Sequence, residues 1–192
     1  MRFHLAFAIF CLLPLGAQAS GESPFAPIPP LLAVPSLNAE RYMGTWYEIA
    51  KYPNRFQKHC VGDTRAEYTL MPDNRVQVVN RCRLENGEFE VANGIARQVG
   101  GTNSPKLEVR FAPAWLSFIP AVWGDYWVID IDDGYQLVAV SEPKRNYLWV
   151  LSRTPTVDTA SYAALLSRLG AHGFDLNRLE VSSHGTNKNS LR

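Results

Sequence analysis

Apolar and polar residues alternate with a two-residue period along most of the chain, and turn residues interrupt the alternation at short intervals. The pattern predicts strands at residues 45–52, 60–70, 75–84, 88–97, 106–111, 126–130, 135–141 and 147–153. Met71-Pro72-Asp73-Asn74, Asn86-Gly87 and Asp132-Asp133-Gly134 are turn signals between them. Short links force neighbouring strands to be antiparallel. Eight such strands in one series predict an all-β fold, an antiparallel up-and-down barrel that leaves no exposed sheet edge. The period then changes. Tyr162, Leu165, Leu166 and Leu169 recur at helical spacing, predicting one C-terminal α-helix over 157–170. A helix of that length does not fit inside so small a barrel, so its apolar stripe is expected on the outer wall. Residues 174–182 read as a further short strand.

The ends of the chain read differently. Arg2 precedes an apolar run at 5–15 too short to span a bilayer, and Ala17-Gln18-Ala19 is a small-x-small cleavage pattern. Residues 1–19 are therefore expected to be a signal peptide. Residues 20–36 are proline-rich and read as an extended tether, with local packing of Ile28, Leu31, Leu32 and Val34 as the alternative. The folded domain is expected over 37–182 and a polar tail over 183–192. Removal of the signal takes Cys11 with it and leaves Cys60 and Cys82 in an oxidising compartment, where a disulfide is the natural reading. The alternative is a reactive thiol beside His59, but no residue is evident to orient the base. With no lipoprotein cysteine at the cleavage point, an exported, periplasmic protein is expected, and association with the outer membrane is left open.

A net charge of +1 with both signs mixed excludes the basic field of a nucleic-acid binder. No Ser-His-Asp order, metal-spaced histidine cluster or phosphate loop is present, so no catalytic residue, metal or cofactor is expected. His59, His172 and His184 are scattered and expected at the surface. The segment from Asp130 to Gly134 has the look of a calcium loop. Gly134, however, takes the place of a ligand, and Ser141 stands where the closing Glu should be.

Three segments resemble the signature regions of lipocalins. The first, Asn38 to Ala50, contains Gly44-Thr45-Trp46, the family's Gly-x-Trp. The second, Asp130-Ile131-Asp132-Asp133-Gly134-Tyr135, resembles the Asp…Tyr turn between the sixth and seventh strands. The third, Tyr147 to Pro155, carries the family's arginine at Arg153. The wording is most similar to bacterial lipocalins related to apolipoprotein D, helped by Tyr52-Pro53-Asn54-Arg55-Phe56 and Gly124-Asp125-Tyr126-Trp127-Val128-Ile129. The resemblance implies an interior that binds a fatty acid or lysophospholipid-like molecule, carried or stored in bacterial envelope maintenance under stress.

Connectivity places the start of strand one, the turn between strands six and seven, and the end of strand eight at one rim. Gly44, Trp46, Asp130, Tyr135 and Arg153 are therefore expected to close the barrel, with Arg153 over the Trp46 indole in a contact worth about 2 kcal/mol when desolvated. The opposite rim receives the two long loops at 51–59 and 112–124. Parity defines strand faces without saying which face is inward. The candidate ligand-binding residues are Glu48, Ala50, Val78, Asn80 and Ala139 on the walls. Tyr52, Phe56, Tyr68, Arg110, Trp115 and Phe118 are added from the mouth and loops. The apolar loop at 112–124 fits contact with a membrane surface or simple capping of the barrel. An enzyme acting on an apolar substrate and a protein-interaction module, including one paired as a homodimer, are the rival readings.

Overall fold

A computed structural model describes residues 29–185. The signal peptide expected at 1–19, the first part of the tether and residues 186–192 lie outside the described residues.

Eight strands close into an antiparallel barrel in sequence order. They are β1 (Gly44–Lys51), β2 (Gly62–Leu70), β3 (Val76–Arg83), β4 (Phe89–Gln98), β5 (Lys106–Arg110), β6 (Gly124–Ile131), β7 (Leu137–Ser141) and β8 (Leu148–Ser152). β1 pairs with both β8 and β2, which removes the two edges an open sheet would leave. A one-turn helix, α1 (Ala39–Tyr42), precedes β1, and α2 (Thr159–Ala171) follows β8. A short β9 (Glu180–Val181) pairs with the second half of β1.

α2 begins where Asp158 accepts a hydrogen bond from the Ser161 amide at 2.8 Å. It ends at Gly173, whose φ of +83° turns the chain so that the Phe174 amide reaches the Leu169 carbonyl. Its stripe of Tyr162, Leu165 and Leu169 is buried against Ile49, Ala50, Ile129, Leu137, Ala139, Leu148 and Val150 on the outer wall. A second apolar cluster, including Trp46, Tyr68, Val76, Val78, Leu107, Val128, Val138, Val140 and Leu151, fills the other side of the same strands.

Two bulges reset the strand faces. In β1 the register shifts between Glu48 and Ala50, so Trp46 and Glu48 face inward while Ala50 is beneath α2. In β6 it shifts between Val128 and Asp130. Val128 faces the interior, and Asp130 faces out to the Arg168 guanidinium of α2 at 2.6 and 2.9 Å.

The proline-rich stretch is not a free tether over its described part. Leu31 is buried in the outer cluster, the Val34 amide donates to the Val128 carbonyl, and the Pro29 carbonyl accepts from Arg145. Leu32 remains exposed. Nor does a polar tail begin at 183. Ser183, His184 and Gly185 are bound into the barrel wall, and the His184 ring is enclosed rather than on the surface.

Candidate ligand cavity

The closed end is built around Trp46. Its indole nitrogen donates to the Tyr42 carbonyl at 2.8 Å, so α1 is drawn across the barrel floor. The Arg153 guanidinium is 3.9 Å from the indole centroid. It also donates to three main-chain carbonyls, those of Thr45 (3.0 Å), Arg41 (2.6 Å) and Tyr135 (3.2 Å). Gly44 has φ of +94°, which strains any L side chain, and a Cβ there would also crowd an Arg153 nitrogen at 3.3 Å. The Tyr135 hydroxyl accepts from the Asn38 amide at 2.9 Å, and the Arg41 guanidinium lies on its ring. Asp130 takes no part in this floor. The turn between β6 and β7 is held by Asp132, whose carboxylate accepts from the amides of Gly134, Gln136 and Leu137. The β6 bulge carries Asp130 to the outer wall.

Above the floor lies a cavity of about 800 Å³. Val76, Val78, Ala96, Leu107, Val109 and Leu151 form apolar walls. Three phenols converge at the inner end. The Tyr126 hydroxyl is 2.6 Å from that of Tyr42 and 3.0 Å from that of Tyr68. Burial raises all three above the ordinary phenol value, Tyr68 to about 12 and the other two well beyond the usual range, so they are neutral O–H groups at any physiological pH.

Nearer the mouth, Glu48 is buried in the wall. Its carboxylate accepts from Ser182 Oγ at 2.6 Å and from Gln57 Nε2 at 2.5 Å. Gln57 Oε1 in turn accepts from Trp149 Nε1 and Asn54 Nδ2. Burial raises the Glu48 carboxyl above its ordinary value, with the Ser182 and Gln57 hydrogen bonds acting in the opposite sense. The network fastens the first mouth loop to the wall. It also closes a seam. β1 and β2 pair from Gly44↔Tyr68 to Tyr47↔Arg65 and then part at the β2 bulge between Gly62 and Arg65. The chain at 180–185 is laid into the gap. The Ser182 amide donates to Ile49 on one side, and the Asp63 amide donates to Ser183 on the other.

The mouth is rimmed by both long loops. Cys60 and Cys82 form a disulfide with a Cα–Cα distance of 5.5 Å, fixing the base of the first loop to β3. The second loop contains two short 3-10 turns, at Ala114–Leu116 and Pro120–Val122. Trp115 (72% exposed) and Phe118 (78%) point into solvent from it.

Among the sequence-derived candidates, Glu48, Phe56, Tyr68, Val78 and Asn80 line the cavity. Ala50, Tyr52 and Ala139 do not. Ala50 and Ala139 are covered by α2, and Tyr52 is buried against Phe174 with its hydroxyl donating to the Asp175 carbonyl at 2.9 Å. Arg110 follows the inward Val109 and so occupies the opposite face. It bonds the Ala112 carbonyl, and its guanidinium is 5.3 Å from the Trp123 ring. Trp115 and Phe118 are outside the cavity lining. The sequence reading missed Tyr42, Tyr126, Gln57, Trp149 and Ser182. Tyr126 was legible as the inward partner of Val128 by parity, and Tyr42 sits in the segment around Gly-x-Trp. Gln57 and Ser182 have no periodic signal.

A closed barrel with one sealed end, an apolar interior and a helix on its wall defines a container for small apolar molecules. The chain belongs to the lipocalin family, which binds such ligands: the Lipocalin-like domain matches residues 37–184. It is 43% identical to temperature-induced lipocalin-1 of Arabidopsis thaliana over 76% of this chain and 78% of that protein. It is 34% identical to the outer membrane lipoprotein Blc of Escherichia coli K12, covering 87% and 94%. Apolipoprotein D of Mus musculus is more distant, at 28% over 81% and 80%. Among solved structures, insecticyanin from Manduca sexta superposes with a TM-score of 0.64 at 18% identity, over 82% of this chain and 86% of that one.

Proposed function

We propose that this protein carries or stores one lipid molecule, a fatty acid or lysophospholipid-like amphiphile, with its hydrocarbon in the cavity and its head at the mouth. The observation that carries this reading is the cavity of about 800 Å³ itself. Its size falls in the range of small-molecule sites, and aliphatic side chains form its walls. Arg55 and Lys144 line the outer part, in position for an anionic head. Each methylene transferred from water to such walls contributes ~0.8 kcal/mol, enough for a long chain to offset the cost of ordering it.

The loop at 111–123 supports contact between the mouth and a lipid surface during loading. It contains no charged residue and presents Trp115 and Phe118 to solvent, while Arg55 and Lys144 are carried by other loops of the same rim. Export fits the Cys60–Cys82 disulfide. A role in the bacterial envelope rests on similarity to Blc, named as an outer membrane lipoprotein.

Native mass spectrometry of the purified protein is the test. A copurified lipid at one per chain, displaced by added fatty acid, is the expected result. Chemical turnover of the lipid would favour an enzyme. An empty dimer that binds no fluorescent fatty acid would favour an interaction module.

A further inference from the structure

The three phenols at the inner end of the cavity contain one more hydrogen-bond donor than they use. Three hydroxyls supply three protons. Only two contacts join them, Tyr42 to Tyr126 and Tyr126 to Tyr68, and each consumes one proton. Whichever way the chain of bonds runs, one O–H has no acceptor among the described residues. Tyr42 and Tyr68 are buried, and all three residues line the cavity. A buried donor left unpaired is costly, so an oxygen from a ligand or a trapped water has to take it.

From this we propose that the inner end of the cavity is an oxygen-acceptor subsite, selecting lipids that carry a neutral hydroxyl or carbonyl oxygen along the hydrocarbon tail over plain acyl chains. The inference rests on the lipid-carrier reading and specifies the class of lipid. The acceptor is neutral because no cation among the described residues is free at this end to compensate an anion. Arg153, the cation whose charge reaches Tyr42, is committed to the Trp46 ring and three main-chain carbonyls. The cavity-lining cations Arg55 and Lys144 belong to the rim loops, and Arg65 and Arg81 are engaged with Glu67. An amphiphile therefore keeps an anionic head at the mouth and offers its tail oxygen to the tyrosines. A saturated tail in the same place leaves the third O–H unpaired or traps a water beside hydrocarbon.

The test compares octadecanoate with a set of keto-octadecanoates that differ only in the position of the ketone along the tail, each labelled with carbon-13 at that carbonyl. One position is expected to bind roughly three- to tenfold more tightly than octadecanoate, the range of one net neutral hydrogen bond. Its ketone stretch should lie at lower wavenumber in the complex than in hexane. The variant Y42F/Y68F/Y126F removes all three hydroxyls without changing shape, a replacement expected to be close to neutral for stability. It should bind octadecanoate and the favoured keto isomer with equal affinity and show no infrared shift. The spectrum of the unmodified complex decides the question even if that variant does not fold. No preferred position, or a preference that survives the triple substitution, overturns the subsite while leaving lipid carriage intact. Failure of the unmodified protein to bind octadecanoate and every keto isomer overturns lipid carriage, and the subsite with it.

Discussion

The Arg153 guanidinium carbon is 3.9 Å from the Trp46 indole centroid while its nitrogens donate to three main-chain carbonyls, those of Arg41, Thr45 and Tyr135. One side chain thus ties together the approach to β1, the turn before β7 and the end of β8. Trp46→Ala removes a fully buried ring and should lower unfolding free energy by about 3–5 kcal/mol. Arg153→Met should lower it by about 2 kcal/mol or more, because three carbonyls lose a charged donor together. Urea unfolding followed by far-ultraviolet dichroism measures both. Unchanged midpoints would remove the floor from this account of stability.

Packing, rather than its ion pair, should hold α2 to the wall. Leu165 is wholly buried there, and Leu165→Ala should lower unfolding free energy by about 2–5 kcal/mol. Arg168 is half exposed despite its two bonds to Asp130, so Arg168→Ala should change stability by no more than about 1 kcal/mol. Equal losses in the two variants would contradict this ranking.

Glu48 gives the protein a pH dependence of definite sign. Burial raises its carboxyl above the ordinary value of 4.5, so the folded state holds this proton more tightly than the unfolded state. Within the window between the two values, the folded state binds more protons and stability falls as pH rises. Below the window both states are protonated, and the group contributes no slope. The stability of Glu48→Gln relative to the unmodified protein should therefore move in the variant's favour as pH rises through that window. A difference that is independent of pH would refute the assignment.

The disulfide closes a loop spanning 22 positions, for which chain entropy alone gives about 3 kcal/mol. Cys82→Ser should lower stability by roughly that amount. Proteolysis should reach the loop at 53–61 sooner in the variant than in the parent. Free thiols at Cys60 and Cys82 in the purified protein, found by peptide mass mapping, would exclude the bond.

The strand order, the outer helix and the disulfide were legible because each leaves a local signal: alternation, helical spacing, and two cysteines left after an expected signal peptide. The inward set was less legible, for reasons particular residues make plain. All of β7 is buried, since Val138 and Val140 face the interior while Leu137, Ala139 and Ser141 face outward beneath other elements. Alternation in burial disappears when both faces are covered, so Ala139 was placed on the wrong side. Ala50 and Asp130 follow bulges, which parity counting does not anticipate. Ser182 and Gln57 reach Glu48 from segments distant or irregular in sequence, and no periodicity connects them.

The strip at 180–185 that fills the seam has a consequence for how the vessel is assembled. Ser182 and Glu48 are 134 positions apart, so this stave of the cask is synthesised only after all eight barrel strands. A growing or threading chain can raise every other stave in order and still leak. Retention of cargo then becomes a property of the finished domain alone, and clipping this strip should drain the container before it unfolds it.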